Sequence, residues 1–251
     1  MKRVDFLICG AQKAGTSALD KYMRGHPGIQ MPISKEIHYF DRESINWGEE
    51  IQTGYKVYHQ SFNWTEKKIR GEATPVYMYW GKSWARISEY SREIKIILLL
   101  RNPITRAYSH WNMEKERGRE NLEFMQAISC EENRLGTEEE QTIKHRIWSY
   151  VERGFYSKQI QYIYEYVNKE NVLILKQEEL LKDRSNALGK IYQHLAVEEI
   201  AHNQEITEHQ STYRKPMSKE AKIWLINRYS GEIKELERLL KWDCSSWLAI
   251  E

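Results

Sequence analysis

A glycine-containing loop directly after an apolar run is the feature that most constrains this chain. The run VDFLIC (residues 4–9) leads into GAQKAGTS (residues 10–17), and a helical pattern begins at Thr16. A loop that turns from a strand into a helix presents backbone N–H groups at the positive end of that helix. It therefore predicts an anion site, with Lys13 and the Thr16 and Ser17 hydroxyls as further donors. An ordinary glycine-rich turn with a solvated lysine explains the loop alone equally well.

The position of the lysine separates this loop from those that bind nucleoside triphosphates. Such loops read G-x-x-x-x-G-K-[ST], with the lysine after the second glycine. Here Thr16 holds that position, and Lys13 lies inside the loop. A P-loop kinase also needs an acidic strand end for magnesium, whereas the run IKIILLL (residues 94–100) is followed by Arg101. The pattern therefore disfavours a nucleotide kinase, which stays an alternative.

Short apolar runs that alternate with helical patterns predict an α/β fold with three layers. VDFLIC, IKIILLL and NVLILK (residues 171–176) have the composition of buried parallel strands, and KKIRG (residues 67–71) is predicted as a further short strand. Helices are predicted over residues 16–24, 103–118, 156–170 and 218–240. Since there is no repeat, low-complexity tract or linker, we expect residues 1–251 to form a single domain.

Composition limits the partners and the compartment. A net charge of +2 over 251 residues is too small for bulk electrostatic binding, so we expect no nucleic-acid partner. Cys9, Cys130 and Cys244 form no C-x-x-C pair, which argues against a zinc site or a disulfide framework and favours a cytoplasmic location. No apolar run approaches the ~18 residues of a membrane-spanning helix. The sequence indicates no oligomeric state.

A second anion site is predicted at the end of IKIILLL. Arg101 follows the run, Asn102 can cap the next helix, and Ser109 lies two helical turns further along. The planar fork of an arginine matches phosphate oxygens. A salt bridge for Arg101 and a backbone hydrogen bond for Ser109 are the alternative. Together, the two sites suit a ligand with phosphates at both ends.

Five stretches resemble, in order, the motifs of sulfotransferases that use 3′-phosphoadenosine 5′-phosphosulfate (PAPS). They are GAQKAGTSAL, HPGIQMPISKEIHYFD, GEATPVYM, LRNPITRAYSHW and RGFYSKQI. More narrowly, they resemble the branch that includes the heparan sulfate sulfotransferases and their bacterial relatives. The resemblance runs from Phe6 to about Trp247. It implies a P-loop-like fold in which helices flank a central parallel sheet.

The resemblance implies roles on the donor side. Lys13 approaches the sulfuryl group and the leaving phosphate, while Arg101 and Ser109 hold the 3′-phosphate. The 5′-phosphate is held by the loop residues Ala14, Gly15, Thr16 and Ser17. The donor would leave as 3′,5′-adenosine bisphosphate. No metal is required, because the lysine and the helix end supply positive charge.

Three further residues are implied near the nucleotide. Tyr156, in RGFYSKQI, is one, and core packing is its alternative. Arg214 and Lys215 precede the last predicted helix, where relatives close over the 3′-phosphate and the adenine. Some relatives have a glycine there, whereas this chain has Pro216. Solvated loop charges are therefore the alternative for Arg214 and Lys215.

On the acceptor side, the resemblance makes Glu36 in SKEIHYFD the general base. His38 is a secondary catalytic candidate that orients the acceptor, and a surface pair of Glu36 with Lys35 is the alternative. Glu72 and Tyr77 in GEATPVYM are expected to contact the substrate. A capping pair and a core aromatic are the alternative for those two.

These expectations combine into a PAPS-dependent sulfotransferase that acts on a hydroxyl or amine of a saccharide or small molecule. A hydroxyacyl or polyketide acceptor and a non-catalytic nucleotide-binding relative are the further alternatives. Aromatic residues between the first loop and the IKIILLL run are expected to form either a sugar platform or a core. They are Trp47, Tyr55, Tyr58, Tyr79, Trp80 and Trp84.

Overall fold

The computed structural model describes residues 2–66, 68–136, 141–201 and 215–249. The chain folds into two compact units, the first within residues 1–100 and 162–209 and the second within residues 101–161 and 210–251. A single domain over residues 1–251 stays a prediction. Arg214, which is predicted to lie near the nucleotide, is outside the described residues.

A parallel five-stranded sheet forms the centre of the first unit, in the order β2-β3-β1-β4-β5. The strands are β1 Phe6–Gly10, β2 Ile29–Gln30, β3 Ile69–Ala73, β4 Lys95–Leu100 and β5 Val172–Lys176. All four neighbouring pairs are parallel, with Ile8 opposite Ala73 in β1 and β3 and opposite Ile97 in β1 and β4. The predicted α/β fold with a parallel sheet is therefore confirmed.

The three longest apolar runs form the three adjacent strands β1, β4 and β5, as predicted. The predicted strand KKIRG lies further along the chain, as β3, so Glu72 belongs to the strand and does not follow it. The sequence did not predict β2, because two residues are too few for a periodic signal.

The helices are divided between the two units. In chain order they are α1 Thr16–Arg24, α2 Trp47–Thr53, α3 Lys56–His59, α4 Gly81–Tyr90, α5 Pro103–Glu116, α6 Phe124–Ser129, α7 Glu131–Leu135, α8 Ile143–Trp148, α9 Tyr156–Tyr166, α10 Gln177–Lys182, α11 Arg184–Leu195 and α12 Lys219–Leu240. Short 3₁₀ segments lie at Pro75–Met78, Glu152–Gly154, Lys169–Asn171 and Ser245–Leu248.

The four predicted helices are all present, and local signals explain their ends. The bounds of α1 agree with the prediction. Asn102 caps α5 by accepting a hydrogen bond from the Ile104 amide at 2.9 Å, and Pro103 fits the first turn because its missing N–H needs no partner there. Ser218 caps α12 in the same way, through the Ala221 amide at 3.2 Å.

One face of the sheet packs against α1, α10 and α11. Alternate strand residues point to this face, among them Phe6 and Ile8 of β1 and Ile97 and Leu99 of β4. The helices contribute Ala18, Leu19, Tyr22, Met23, Leu180, Ala187, Leu188, Ile191, Tyr192 and Leu195. This core fixes the sheet and the beginning of α1, where the glycine-containing loop ends.

A pair of glycine substitutions, one in each unit, tests the packing around each glycine. A Cβ at Gly71 in β3 would lie 2.2 Å from the Phe6 ring, so we expect Gly71→Ala to lower the free energy of unfolding by roughly 1–3 kcal/mol. A Cβ at Gly231 in α12 meets nothing within 4 Å, so Gly231→Ala should raise it by about 0.5–1 kcal/mol. Urea unfolding measures both changes. An equal effect of the two substitutions would contradict this packing.

Candidate functional site

The loop between β1 and α1 has a backbone suited to an anion. Lys13 and Gly15 both have left-handed backbone, with φ of 70° and 94°. Gly15 is the N-cap of α1, and within the described residues no side chain caps this end. The first N–H groups of a helix need outside acceptors, so an anion can serve them. Ala14 and Thr16 are buried, whereas Ser17 is exposed.

Glu36 and His38 lie on a segment that the end of β3 holds in place. The Glu36 amide donates to the Ala73 carbonyl at 3.1 Å, and the His38 amide donates to Thr74 Oγ1 at 3.5 Å. Both Glu36 and His38 have left-handed backbone, with φ of 59° and 55°. Each such residue costs on the order of 1–3 kcal/mol when it is not glycine, and persists only where its surroundings impose it.

The Glu36 carboxylate has two cationic neighbours. Lys35 Nζ lies 2.6 Å from Oε1, and His38 Nε2 lies 3.4 Å from Oε2. Burial alone would raise the pKa of Glu36, but the hydrogen bond from His38 and the Lys35 ammonium outweigh it and lower the pKa to about 2. Glu36 is therefore ionised at neutral pH. The structure contains the Glu36–Lys35 pair that was the alternative, and beside it a Glu36–His38 pair that the sequence did not predict. The catalytic roles of Glu36 and His38 stay predictions.

Asp41 completes this arrangement on the other side of the imidazole. Its Oδ2 lies 2.9 Å from His38 Nδ1, and the side chain of Asp41 is 1% exposed. The hydrogen bonds to Asp41 and to Glu36 raise the pKa of His38 to about 9, against the opposing effect of burial. His38 is therefore protonated at neutral pH, where it donates hydrogen bonds and accepts no proton. Asp41 lies within the SKEIHYFD stretch, and the sequence did not predict it as a site residue.

Glu72 is fully buried, and three hydroxyl groups surround its carboxyl group. Tyr58 and Tyr77 each donate to Oε1 at 3.0 Å, and Thr74 donates to Oε2 at 2.7 Å. Burial raises the pKa of Glu72 to about 7, although the three hydroxyl groups lower it. Glu72 and Tyr77 both have 0% exposure, and their described hydrogen bonds are to the protein. Direct substrate contacts by these two residues stay a prediction.

The six aromatic residues between the first loop and β4 that the sequence singled out belong mainly to the core. Tyr55, Tyr58, Tyr79, Trp80 and Trp84 are all buried. The ring of Tyr58 stacks on Tyr39 with centroids 4.5 Å apart. The core interpretation of these residues is therefore confirmed, and Trp47 alone among the six is partly exposed.

The predicted 3′-phosphate residues belong to the second unit. Arg101 is partly exposed, and its Nε donates to Thr105 Oγ1 at 2.9 Å. Ser109 lies on α5 and is 3% exposed. Lys215 is exposed, and its carbonyl accepts a hydrogen bond from Tyr108 Oη at 2.6 Å. The phosphate-binding roles of these residues stay predictions.

Tyr156 has a structural role in the second unit. It is fully buried, and its hydroxyl donates to the Arg101 carbonyl at 2.9 Å. A side chain enclosed in this way offers no surface to a nucleotide. The burial of Tyr156 favours the core-packing alternative, in which Tyr156 fixes the backbone of Arg101, while its nucleotide role stays a prediction.

Other features of the described residues bear on cofactors and location. Nowhere in the described ranges do three or more His, Cys, Asp or Glu side chains form a group that could hold a metal ion. Cys9, Cys130 and Cys244 are all free thiols. In the same ranges, no helix has the length and apolar character needed to cross a membrane.

Comparison with known proteins identifies relatives of this chain. A family model described as a sulfotransferase domain matches residues 3–235. Human heparan sulfate glucosamine 3-O-sulfotransferase 3B1 is 25% identical over 197 residues, which cover 77% of this chain and 46% of that protein. Human heparan sulfate glucosamine 3-O-sulfotransferase 6 is 27% identical over 197 residues, covering 77% and 52%. The chain spans about half the length of these curated relatives.

Solved structures add a likeness over the full length. The crystal structure of a sulfotransferase from Alicyclobacillus acidocaldarius superposes with a TM-score of 0.81 at 26% identity, covering 99% of this chain and 100% of that one. The sulfotransferase domain of the Synechococcus PCC 7002 olefin synthase gives a TM-score of 0.54 at 13% identity, covering 96% and 95%. The second likeness shows a shared fold.

The pairing of His38 with Asp41 can be tested by titration. Asp41→Asn should lower the pKa of His38 from about 9 towards its ordinary value of 6.5, because it removes the negative charge at Nδ1. The stabilisation that the His38 proton gives to the folded state is complete below pH 6.5 and is lost as pH rises to about 9. NMR of the imidazole resonances measures the change, and a pKa that stays near 9 would contradict the role of Asp41.

Proposed function

The chain belongs to the sulfotransferase family, and from this premise we propose that it transfers a sulfuryl group from PAPS to a hydroxyl or amine of a saccharide or small-molecule acceptor. The observation that carries the proposal is the Glu36 carboxylate, ionised and 41% exposed, on a segment fixed to the end of β3. The neighbouring strand β1 leads into the anion-binding loop of the same unit.

The loop residues fit the phosphosulfate end of the donor substrate. Left-handed backbone at Lys13 and Gly15 and the uncapped beginning of α1 supply N–H donors for a phosphate. The backbone of residues 14–17 would hold the 5′-phosphate, and Lys13 would neutralise the charge that develops on the leaving group. Arg101 and Ser109, in the second unit, are proposed to hold the 3′-phosphate.

The proposed reaction is a displacement at sulfur. The Glu36 carboxylate accepts the proton of the acceptor hydroxyl as its oxygen forms a bond to sulfur. The bond between sulfur and the 5′-phosphate oxygen breaks, and that oxygen keeps the electron pair. The products are the sulfated acceptor, 3′,5′-adenosine bisphosphate and a protonated Glu36, which returns its proton to water.

The protonation states favour Glu36 over His38 as the base. His38 keeps its proton below about pH 9, so at neutral pH it can only donate. The protonated imidazole pairs with Glu36 Oε2 at 3.4 Å, and this pairing keeps the carboxylate ionised. A carboxylate with a pKa of about 2 is a weak base, so we expect the acceptor to displace part of this pairing and to raise the basicity of Glu36.

For the acceptor, we propose a saccharide, because the curated relatives are named for a glucosamine of heparan sulfate. The hydroxyacyl and small-molecule acceptors from the sequence analysis stay alternatives. Membership in the sulfotransferase family argues against the kinase. A non-catalytic nucleotide-binding relative is disfavoured, because the predicted site residues are all present. They are Lys13, Glu36, Arg101 and Ser109. The cytoplasmic location, the lack of a required metal and the nucleotide role of Lys215 also stay proposals.

Replacing the proposed base should stop turnover and spare the donor site. Glu36→Gln should lower kcat by about 10²–10⁴-fold, because the amide accepts no proton. Calorimetry should show unchanged affinity for 3′,5′-adenosine bisphosphate. Glu66→Gln is a matched control, since Glu66 is also exposed and pairs with a lysine, Lys68, at 2.6 Å. Normal turnover by Glu36→Gln in assays with labelled PAPS would show that Glu36 is not the base.

The proposed 3′-phosphate site can be tested by comparing two nucleotides. We expect wild-type protein to bind 3′,5′-adenosine bisphosphate more tightly than 5′-AMP, and Arg101→Ala to remove roughly 10–100-fold of that preference. Arg238→Ala is the control, since Arg238 lies on the surface of α12 and pairs with Glu235 at 2.7 Å. An Arg101→Ala variant that weakens both nucleotides equally would contradict a specific role at the 3′-phosphate.

A further inference from the structure

A buried link connects the Glu72 carboxyl group to the segment that carries Glu36. Tyr77 Oη donates to Glu72 Oε1 at 3.0 Å and accepts hydrogen bonds from the Tyr39 and Phe40 amides at 2.9 and 3.3 Å. Thr74 Oγ1 forms a parallel link, since it donates to Glu72 Oε2 at 2.7 Å and accepts from the His38 amide at 3.5 Å. Both hydroxyl groups therefore bridge the carboxyl group and the backbone of residues 38–40.

The direction of the protons makes this link specific. A hydroxyl group has a single proton and two acceptor lone pairs. When Glu72 is ionised it only accepts, so the protons of Tyr77 and Thr74 point to the carboxylate and their lone pairs stay available to the amides. A hydroxyl turned the other way would place its proton against an N–H group. Glu72 thus orients the two hydroxyl groups so that their oxygen atoms accept hydrogen bonds from the amides of residues 38–40.

The conformation of the segment needs such support. Left-handed backbone at Glu36 and His38 is unfavourable for residues with a side chain, so neighbouring contacts must impose it. Below the segment, the Tyr39 and Phe40 rings are buried against Tyr58 and Tyr77. Ring packing holds residues 39 and 40 in the core, and the hydroxyl bridges determine where their amides lie.

We propose that Glu72 and Tyr77 are positioning residues, in which the buried carboxylate orients the Tyr77 hydroxyl so that it fixes the segment bearing Glu36 and His38. Neither residue touches the acceptor in this proposal. It rests on the proposed function only in assigning Glu36 to the reaction, because the structural link itself can be measured without turnover.

Tyr58 and Tyr77 both donate to Glu72 Oε1, so substitutions of the two residues form a matched pair. Tyr77→Phe removes the hydroxyl that accepts the Tyr39 and Phe40 amides, whereas Tyr58→Phe removes a hydroxyl whose described bond is to Glu72 alone. Both variants keep a ring of the same size in the core. Assays at pH 8 suit the comparison, because Glu72, with a pKa of about 7, is then ionised while His38 is still protonated.

We expect Tyr77→Phe to lower kcat on the order of tenfold, with little change in KM for PAPS, because misplaced Glu36 affects the reaction more than donor binding. Tyr58→Phe should stay within about twofold of wild type. NMR should show that the pKa of His38 falls in Tyr77→Phe, since the imidazole moves away from Asp41 and Glu36, and stays near 9 in Tyr58→Phe.

The outcomes separate this inference from the proposed function. Equal losses of thermal stability and kcat in both variants, with His38 unchanged, would reduce Glu72 and Tyr77 to packing residues and overturn the inference. A fall in the pKa of His38 in Tyr77→Phe, together with normal turnover by Glu36→Gln, would support the link and overturn the proposed base. If Tyr77→Phe does not fold, Thr74→Val tests the other bridge, through the His38 amide, by the same titration.

Discussion

Parallel pairing of β1 with β3 determines where the polar side chains of the first unit lie. The pairing places Ile8 opposite Ala73, so both strands end at the same edge of the sheet. At this edge the chain leaves β1 through the glycine-containing loop of residues 10–17, and the end of β3 holds the Glu36 amide. The apolar face that packs on α1 and α11 keeps the two strands in register. A slip by one residue would turn Glu72 from one face of the sheet to the other.

The Thr74 and Tyr77 hydroxyl groups connect the hydrophobic interior to the segment that carries Glu36 and His38. Glu72 is an acidic group in the interior, and its nearest partners are uncharged. The ion pairs next to this cluster lie on the segment that carries Glu36, where His38 lies between Asp41 and Glu36. The buried Glu72 carboxyl group thus accepts hydrogen bonds from neutral hydroxyl groups, whereas the exposed Glu36 carboxylate pairs with the cations of Lys35 and His38. This order agrees with their pKa values of about 7 and about 2, because burial dominates inside and charge dominates at the surface.

Local patterns predicted the elements that are long and strongly apolar. The three adjacent strands β1, β4 and β5 and the beginnings of α1, α5 and α12 follow from buried runs and capping residues. Glu36 and His38 were assigned from a resemblance, and the structure brings their side chains together. The burial of Glu72 and Tyr156 could not be read from the sequence, because an acidic or phenolic side chain is common at a surface and its burial depends on distant partners. Asp41 lacked a signal for a different reason, because its segment has no helical or strand period that would place it beside His38.

The left-handed backbone at Glu36 and His38 has a consequence for protein engineering. Glycine tolerates this conformation without the steric cost that other residues bear, and asparagine tolerates it better than most. Relief of this steric cost alone would therefore favour glycine or asparagine at positions 36 and 38, against the loss of the Glu36–Lys35 and His38–Asp41 pairs. Either replacement would remove the carboxylate or the imidazole while relaxing the chain. Under the proposed function, backbone strain and catalysis therefore make opposite demands on these two positions.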